Sequence, residues 1–442
     1  MENTAIIPLK EYDFFGPTPM QNMVEGTTLT KHQPMAQIEQ SQIIEYVVST
    51  GPKQFILPND MYLYVQLQFK LKKATAITVA DWKKICPVNY LLGSLFKSVD
   101  IQIGEKQVTL APQTYAYRSY FDSLINLGKN AHDTWLTCGL FDNTEITTLA
   151  SKRNSVNEKR STLIRPTDVS NTSDGKTIEL FGKLHLDLAQ QDKAILNGCT
   201  LKIRLIPNAT EFFIINTATD VTVSTSFKEC SLFVNRAECS QDVVVAQQQA
   251  LLQTPAKYPI SRCEVKPFTV AKSSREAFID NVVVGKLPRK IYIACVDNEA
   301  FNGSFTKNPY FFEHMDIKFL CCYINGTAFP SIPYTPSFGA NLSVREYFEF
   351  MRTAGQINPD TTLPITKFNY GEGNTIFGFN FAPDQSHGST QSGYINNAMI
   401  GSLRLEIRFE NPIEKAITIL VYCEYDNEVT INSDRNAQTD YN

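Results

Sequence analysis

The chain is short of charge, of histidine and of long apolar runs, and each shortage removes a class of function. Charged residues make up 19% of its 442 residues, 41 basic against 45 acidic, for a net charge of −4. Binding to nucleic acid rests on neutralising phosphates, so a protein that only condenses DNA is excluded. The longest apolar runs are ITILVYC (Ile417 to Cys423) and FLCCYI (Phe319 to Ile324). Both fall far below the roughly 18–20 residues a bilayer requires, so no membrane span is expected. The opening stretch MENTAIIPLKEYDFFGPTP mixes acids and prolines and has no apolar segment behind a basic start, unlike a secretory signal. Ten cysteines are scattered irregularly from Cys86 to Cys423 without a CxxC pair. That pattern lacks a disulfide framework and a zinc or redox motif, and it predicts reduced thiols in a cytosolic or nuclear setting. Five glycosylation sequons, at Asn171, Asn208, Asn302, Asn325 and Asn341, would be silent there.

Catalytic patterns are equally scarce. Five histidines (His32, His132, His185, His314, His387) include no HExxH helix and no pair at helical spacing. Neither a GxSxG elbow nor a GxxxxGK[ST] loop occurs. GEGNTIFG (Gly371 to Gly378) opens a strand instead of joining a strand to a helix, so it reads as a glycine-rich turn. His185 and Asp187 alternate along one strand and are expected on its solvated face. Cys321 and Cys322 are adjacent and point to opposite faces, so one is expected in the core and neither is activated. Lys152, Arg153, Lys159 and Arg160 lack interleaved aromatics and read as a solvated face. The carboxylates are too dispersed to nominate a glycosidase pair. The expectation is a protein without catalytic, cofactor-binding or metal-binding residues.

What the chain has is period two. NDMYLYVQLQFKLK (Asn59 to Lys72) sets Leu63, Val65, Leu67 and Phe69 against Tyr62, Tyr64, Gln66 and Gln68. SLRLEIRFE (Ser402 to Glu410) sets Leu403, Leu405, Ile407 and Phe409 against Arg404, Glu406 and Arg408. GKLHLDL, TLKIRLI, CSLFV, RKIYIACV, MDIKFLCCYI, NTIFGFNF and AITILVYCEY read the same way. Short runs of this kind, bounded by Gly, Pro, Asn and Asp and without regular intervening helices, predict an all-β protein of antiparallel sandwiches. Three helices interrupt them: Thr114 to Gly128, Ser240 to Pro255 with Ser240 as cap, and Val344 to Gly355.

The first and third helices align without a gap. Arg118 falls on Arg345, Tyr120 on Tyr347, Phe121 on Phe348, Asp122 on Glu349, Leu124 on Met351 and Gly128 on Gly355, every pair at the same offset. A strand and tight turn precede each helix (from Asp100 and from Cys322), and three strands follow each in similar order. The chain is therefore expected to be a duplicated β-domain with a helix inserted at the same place in both copies. At 442 residues it also exceeds the roughly 250–300 residues that one core sustains. The predicted organisation is an arm over residues 1–42, a first domain over 43–254 with a polar insertion at 141–178, a second over 255–431, and a tail over 432–442.

The run from Asn281 to Pro330 resembles the major capsid proteins of Polinton/Maverick elements and their adintovirus relatives. That family shows a G-x-LP-[KR] turn, here Gly285 to Arg289, and VDN-x-AFNGS, here Val296 to Ser304. It also shows K-NP-[FY]-x-F, here Lys307 to Phe312, and a strand ending at Asn325–Gly326 before the helix. The likeness extends over nearly the whole chain and is weakest near 20–40 and 141–178. FNFAPD (Phe379 to Asp384) stands where the family more often has an FDLTPD-like run.

The resemblance implies a double jelly roll, two eight-stranded sandwiches that trimerise into pseudo-hexagonal capsomers. These would tile an icosahedral virion shell around double-stranded DNA without binding it strongly. A separate single-jelly-roll protein would occupy the vertices, and assembly would take place in the host cytoplasm or nucleus. Arm and tail would lie against neighbouring capsomers or the shell interior, and the 141–178 loop on the outer surface. The alternatives are a bilobed double β-sandwich that binds or hydrolyses carbohydrate, and a capsid gene reused by its host.

Overall fold

The computed structural model describes residues 20–38, 43–109, 113–166, 173–357, 363–387, 394–397 and 399–441. Eight strands build the first half: β1 (Val24–His32), β2 (Ile44–Ser49), β3 (Gln54–Lys73), β4 (Phe96–Ile103), β5 (Lys106–Gln107), β6 (Asp174–Lys183), β7 (Thr200–Pro207) and β8 (Val221–Cys239). Eight more build the second: β9 (Ala256–Val270), β10 (Glu276–Lys286), β11 (Lys290–Asp297), β12 (Ile317–Ile324), β13 (Thr327–Tyr334), β14 (Phe377–Asn380), β15 (Ile400–Phe409) and β16 (Ile417–Ile431).

The first half has sheets in the order β1-β8-β3-β6 and β2-β7-β4-β5, all antiparallel. The second has β9-β16-β11-β14 and β10-β15-β12-β13, the same order with every number raised by eight. Two antiparallel four-stranded sheets wound in this order make a jelly roll, and the chain holds two. The first adds a short ribbon of Ile85–Pro87 with Ile214–Asn216.

Between its sheets each half buries the apolar side of the alternation. In β3, Leu63, Val65, Leu67 and Phe69 are buried while Tyr62, Tyr64, Gln66 and Gln68 stay half-exposed. In the second half, Ile291, Ile293 and Cys295 meet Leu320, Leu405 and Ile407 in one apolar cluster. Burying each large apolar side chain is worth about 1.5–3 kcal/mol.

Three helices of ten residues or more occur among the described residues: α1 (Tyr115–Ile125), α2 (Gln241–Gln253) and α3 (Val344–Thr353). Helices α1 and α3 both follow the hairpin of the fourth and fifth strands of their jelly roll. Gly355, at φ +73°, closes α3 in the left-handed conformation that glycine adopts without penalty. Helix α1 stops earlier than its sequence suggests, and Gly128 caps the short helix Lys129–Asp133 instead. Helix α2 connects the halves; the Ser240 side chain makes no cap hydrogen bond.

Two stretches depart from expectation. Val24–His32, read above as arm, is an edge strand of the first jelly roll, hydrogen-bonded to β8 from Val24↔Cys239 to His32↔Leu232. Its polar TTLTKH run carries little core signal because both faces are largely exposed, so only the pairing reveals it. The arm expected over residues 1–19 lies outside the described residues. In the tail, Ala437–Thr439 forms β17 on β16, and Tyr441 donates its hydroxyl to the Val108 carbonyl at 2.6 Å. This part of the tail is packed on its own chain.

Candidate interaction surfaces

Helix α1 sits in the seam between the jelly rolls, and all of its residues are buried. The sequence YAYRSYFDSLI surrounds the helix with aromatic rings, and the second half supplies their partners. Tyr120 stacks on Tyr310 with centroids 4.0 Å apart, and Phe121 lies 5.1 Å from Phe312 and 5.5 Å from Tyr422. Such pairs add about 0.5–1.5 kcal/mol each beyond the area they bury.

The polar residues of α1 find partners in the same seam. Arg118 donates to Asp187 at 2.7 Å, and the same oxygen accepts the Cys263 backbone N–H of the second half. Asp122 accepts the hydroxyl of Tyr422 and lies 3.4 Å from His185 Nδ1. His185 Nε2 meets the Tyr90 hydroxyl at 2.7 Å. His185 and Asp187 therefore correct the expectation of a solvated strand face: both lie beyond the end of β6 and are buried. Burial alone would raise the Asp122 carboxyl, but its hydrogen bond to His185 and the charge of Arg118 hold it below the ordinary carboxylate value. For Asp187 burial outweighs Arg118, and the carboxyl is raised.

A second buried group surrounds Arg289, which donates to Glu424 at 2.9 Å and to Asp426. Next to it, burial pulls the Lys290 amine down to about 8. A seam cavity of about 360 Å³ is lined by Asp122, His185, Cys263, Arg289, His387 and Glu424. Its acids and bases largely satisfy one another. Among the described residues no group of three or more His, Cys, Asp and Glu side chains could hold a metal ion.

The polar insertion also reaches the second half. Arg153 is buried and donates to the Gly373 carbonyl and to Asn374 Oδ1, both at 2.9 Å, while Arg160 pairs with buried Glu145. Two of the four basic residues read as a solvated face are thus internal, and one grips the glycine-rich turn. Lys152 and Lys159 are exposed. Cys321 and Cys322 are both buried, which raises both thiols, so two-sided burial replaces the expected single core cysteine.

Helix α3 is the counterpart of α1 and is covered on one side only. Phe350 and Met351 face its own jelly roll, with Phe350 edge-on to Tyr292. Leu342, Val344 and Phe348 are exposed, Phe348 at 53% against 0% for its counterpart Phe121. Among the described residues Arg345, counterpart of Arg118, donates to the carbonyls of Ile332 and Pro333 and lies over the face of Tyr334.

The outer faces of the two β1-type sheets differ in the same way. All eight residues of β11 are buried, and Tyr292, Leu420, Tyr422 and Val265 share one apolar cluster with α1. On the first half, Tyr62, Tyr64, Phe181 and Phe233 form an aromatic group at the surface, with Lys31 over Phe233 and Lys183 over Tyr62. Leu29 of β1 is 53% exposed. Neither open surface was named from sequence. The available signal was an amphipathic helix whose exposed side keeps Val344 and Phe348.

No family model matches the chain. An uncharacterized protein of Caenorhabditis elegans is 24% identical over 411 residues, covering 88% of this chain and 93% of its own. Among solved structures, a chain from the Sputnik virophage particle superposes with a TM-score of 0.64 at 12% identity, covering 99% of this chain and 93% of that one. The faustovirus major capsid protein gives 0.57 at 8% identity (98% and 94%), and the mavirus major capsid protein 0.56 at 10% (99% and 95%). At these identities the likeness establishes the fold, a double jelly roll over the whole chain.

Proposed function

We propose that this protein is a structural major capsid protein. Three copies form a pseudo-hexagonal capsomer, and capsomers tile an icosahedral shell around double-stranded DNA. The observation that carries the reading is the repeated strand order within one chain. Two equivalent jelly rolls per chain under a threefold axis give six near-equivalent edges, the geometry that tiles a flat facet. End-to-end likeness to a chain of the Sputnik virophage and to the mavirus and faustovirus major capsid proteins supports it. The near-neutral charge suits a chain whose partners are copies of itself.

The finer assignment is to the Polinton/Maverick and adintovirus group, on the Gly285 to Phe312 motifs. A nematode relative of matching length fits a gene carried by an element resident in genomes. A single-jelly-roll vertex protein is the expected partner, and no enzymatic step is assigned. Residues 1–19 are proposed to contact neighbouring capsomers or the shell interior, and the exposed part of the 141–178 insertion to lie on the outer surface.

Light scattering of the purified chain with negative-stain imaging tests the reading. A species with three times the mass of the 49.8 kDa chain and hexagonal outlines is expected. A monodisperse monomer across salt and protein concentration would overturn it. One observation favours carbohydrate binding instead, the surface group of Tyr62, Tyr64, Phe181 and Phe233. Saturable binding on a glycan array, lost on Tyr62→Ala, would transfer the assignment to that reading.

A further inference from the structure

We infer that the tail segment 432–441 is a strap that fastens the two jelly rolls to each other, and that its release is the step that opens the seam. The inference concerns the single chain and does not depend on how many copies assemble.

The strap grips both halves. A turn closed by the Asn436 carbonyl on the Asn432 N–H, at 3.1 Å, sends the chain back along β16. There Ala437, Gln438 and Thr439 pair with Ile431, Thr430 and Val429. Asp440 then accepts from three donors of the second half: the Glu428 N–H at 2.8 Å, the Asn427 amide at 2.9 Å and the Lys286 amine at 3.0 Å. The first half is reached at two points. Arg435 donates to Asn197 Oδ1 at 2.9 Å, ahead of β7, and the Tyr441 hydroxyl donates to the Val108 carbonyl at 2.6 Å, just after β5.

Tyr441 also covers a buried charge at the seam. Arg262 of β9 is buried, with its guanidinium 4.1 Å from the Tyr425 ring and 5.0 Å from the Tyr441 ring. Its Nε donates to Asn427 Oδ1 at 3.2 Å, and the amide of the same Asn427 is held by Asp440. The next residue, Cys263, gives its N–H to Asp187, the carboxylate that pairs with Arg118 across the seam. Strap, buried cation and ion pair are therefore contiguous.

The strap is held more weakly than what it covers. Helix α1 is buried all round, whereas the strap rests on three ladder residues and on side chains that reach water. Asn436 and Asp440 are exposed, and Tyr441 is partly so. Segments with few buried apolar contacts and solvent-exposed hydrogen bonds open at lower cost than cores. Release takes one ring from Arg262 and the Asp440 acceptor from Asn427, which uncovers the Cys263 side of the seam.

Thiol labelling with iodoacetamide under native conditions, mapped by mass spectrometry, tests this. Cys263 is buried at the seam, while Cys230 and Cys295 are buried inside the first and second jelly rolls. In Tyr441→Ala, labelling of Cys263 should rise about tenfold, for the loss of one cation–π contact and one hydrogen bond. Cys230 and Cys295 should label as slowly as in wild type. Tyr441→Phe keeps the ring over Arg262 and loses only the hydroxyl, so its rise should be smaller.

Unchanged Cys263 labelling in a folded Tyr441→Ala chain would overturn the inference. An equal rise at all three thiols would also overturn it, because the tail would then contribute only to overall stability. A rise in Tyr441→Phe as large as in Tyr441→Ala would overturn the part assigned to the ring. If Tyr441→Ala does not fold, as judged by far-UV circular dichroism, Tyr441→Leu carries the same expectations.

Discussion

Strands β3 and β11 occupy the same place in the two jelly rolls, each beside the last strand of its sheet, and they are written differently. In β3 buried and half-exposed residues alternate from Met61 to Phe69, whereas all of KIYIACVD in β11 is buried. The helices repeat the contrast: α1 is buried all round, and α3 keeps an exposed apolar side. One sheet and one helix have been covered by the other half of the chain, and their equivalents have not. The two halves share a topology, and their compositions differ where one half covers the other. A sheet buried on both faces favours a continuous apolar run, while one open to water keeps its alternation.

The largest test of this contrast compares Phe121 with Phe348. Phe121→Ala should cost about 3–5 kcal/mol in urea denaturation, the usual loss on truncating a core aromatic. Phe348→Ala should cost less than about 1 kcal/mol in the monomeric chain, because its ring is half in water. Equal costs would break the comparison. The paired arginines give a second contrast. Arg118→Met leaves Asp187 buried without its partner and should cost about 3–5 kcal/mol, whereas the exposed Arg345→Met should cost under about 1 kcal/mol.

A smaller effect, of opposite sign, is expected at Lys290. Its amine titrates near 8 in the folded chain, below the value of about 10.4 for a free lysine. Between those values the unfolded chain binds more protons, so stability should rise with pH across the window. Lys290→Met should therefore stabilise the protein by about 1–3 kcal/mol at pH 7, and the gain should shrink towards pH 10. A pH-independent gain would assign the effect to packing. The smallest change is expected on the open face of β3, where Gln66→Thr should stay within about 0.5 kcal/mol. Ala294→Thr, on the covered face of β11, should exceed that, because its added atoms have no room.

Alternation and the constant offset between the two helix segments made most of the strands, both inserted helices and the duplication legible in the sequence, although GKLHLDL, read as a strand, runs past the end of β6 at Lys183 into a short helical turn at Leu188–Gln190. Catalytic motifs were absent from the same reading. Strand β1 escaped it, because an edge strand exposed on both faces has no apolar period and is defined by its pairing with β8, at the far end of the first half. His185, Asp187, Arg153 and Arg160 were placed in solvent because each sits among polar neighbours in sequence. Three of their partners, Asp122, Arg118 and Gly373, come from other segments, and the fourth, Glu145, comes from a neighbouring short helix of the same insertion.

Side-chain period, turn residues and internal repetition are local properties of a chain, and here they determined two β-sandwiches with a helix at the same point in each. Which helix would be covered, which sheet would be buried on both faces and which charges would leave water depended on how the two sandwiches meet. That is settled by surface complementarity between residues far apart in sequence. A buried ion pair is tolerable only once its partner has been brought into contact, so no property of either residue's own neighbourhood announces it.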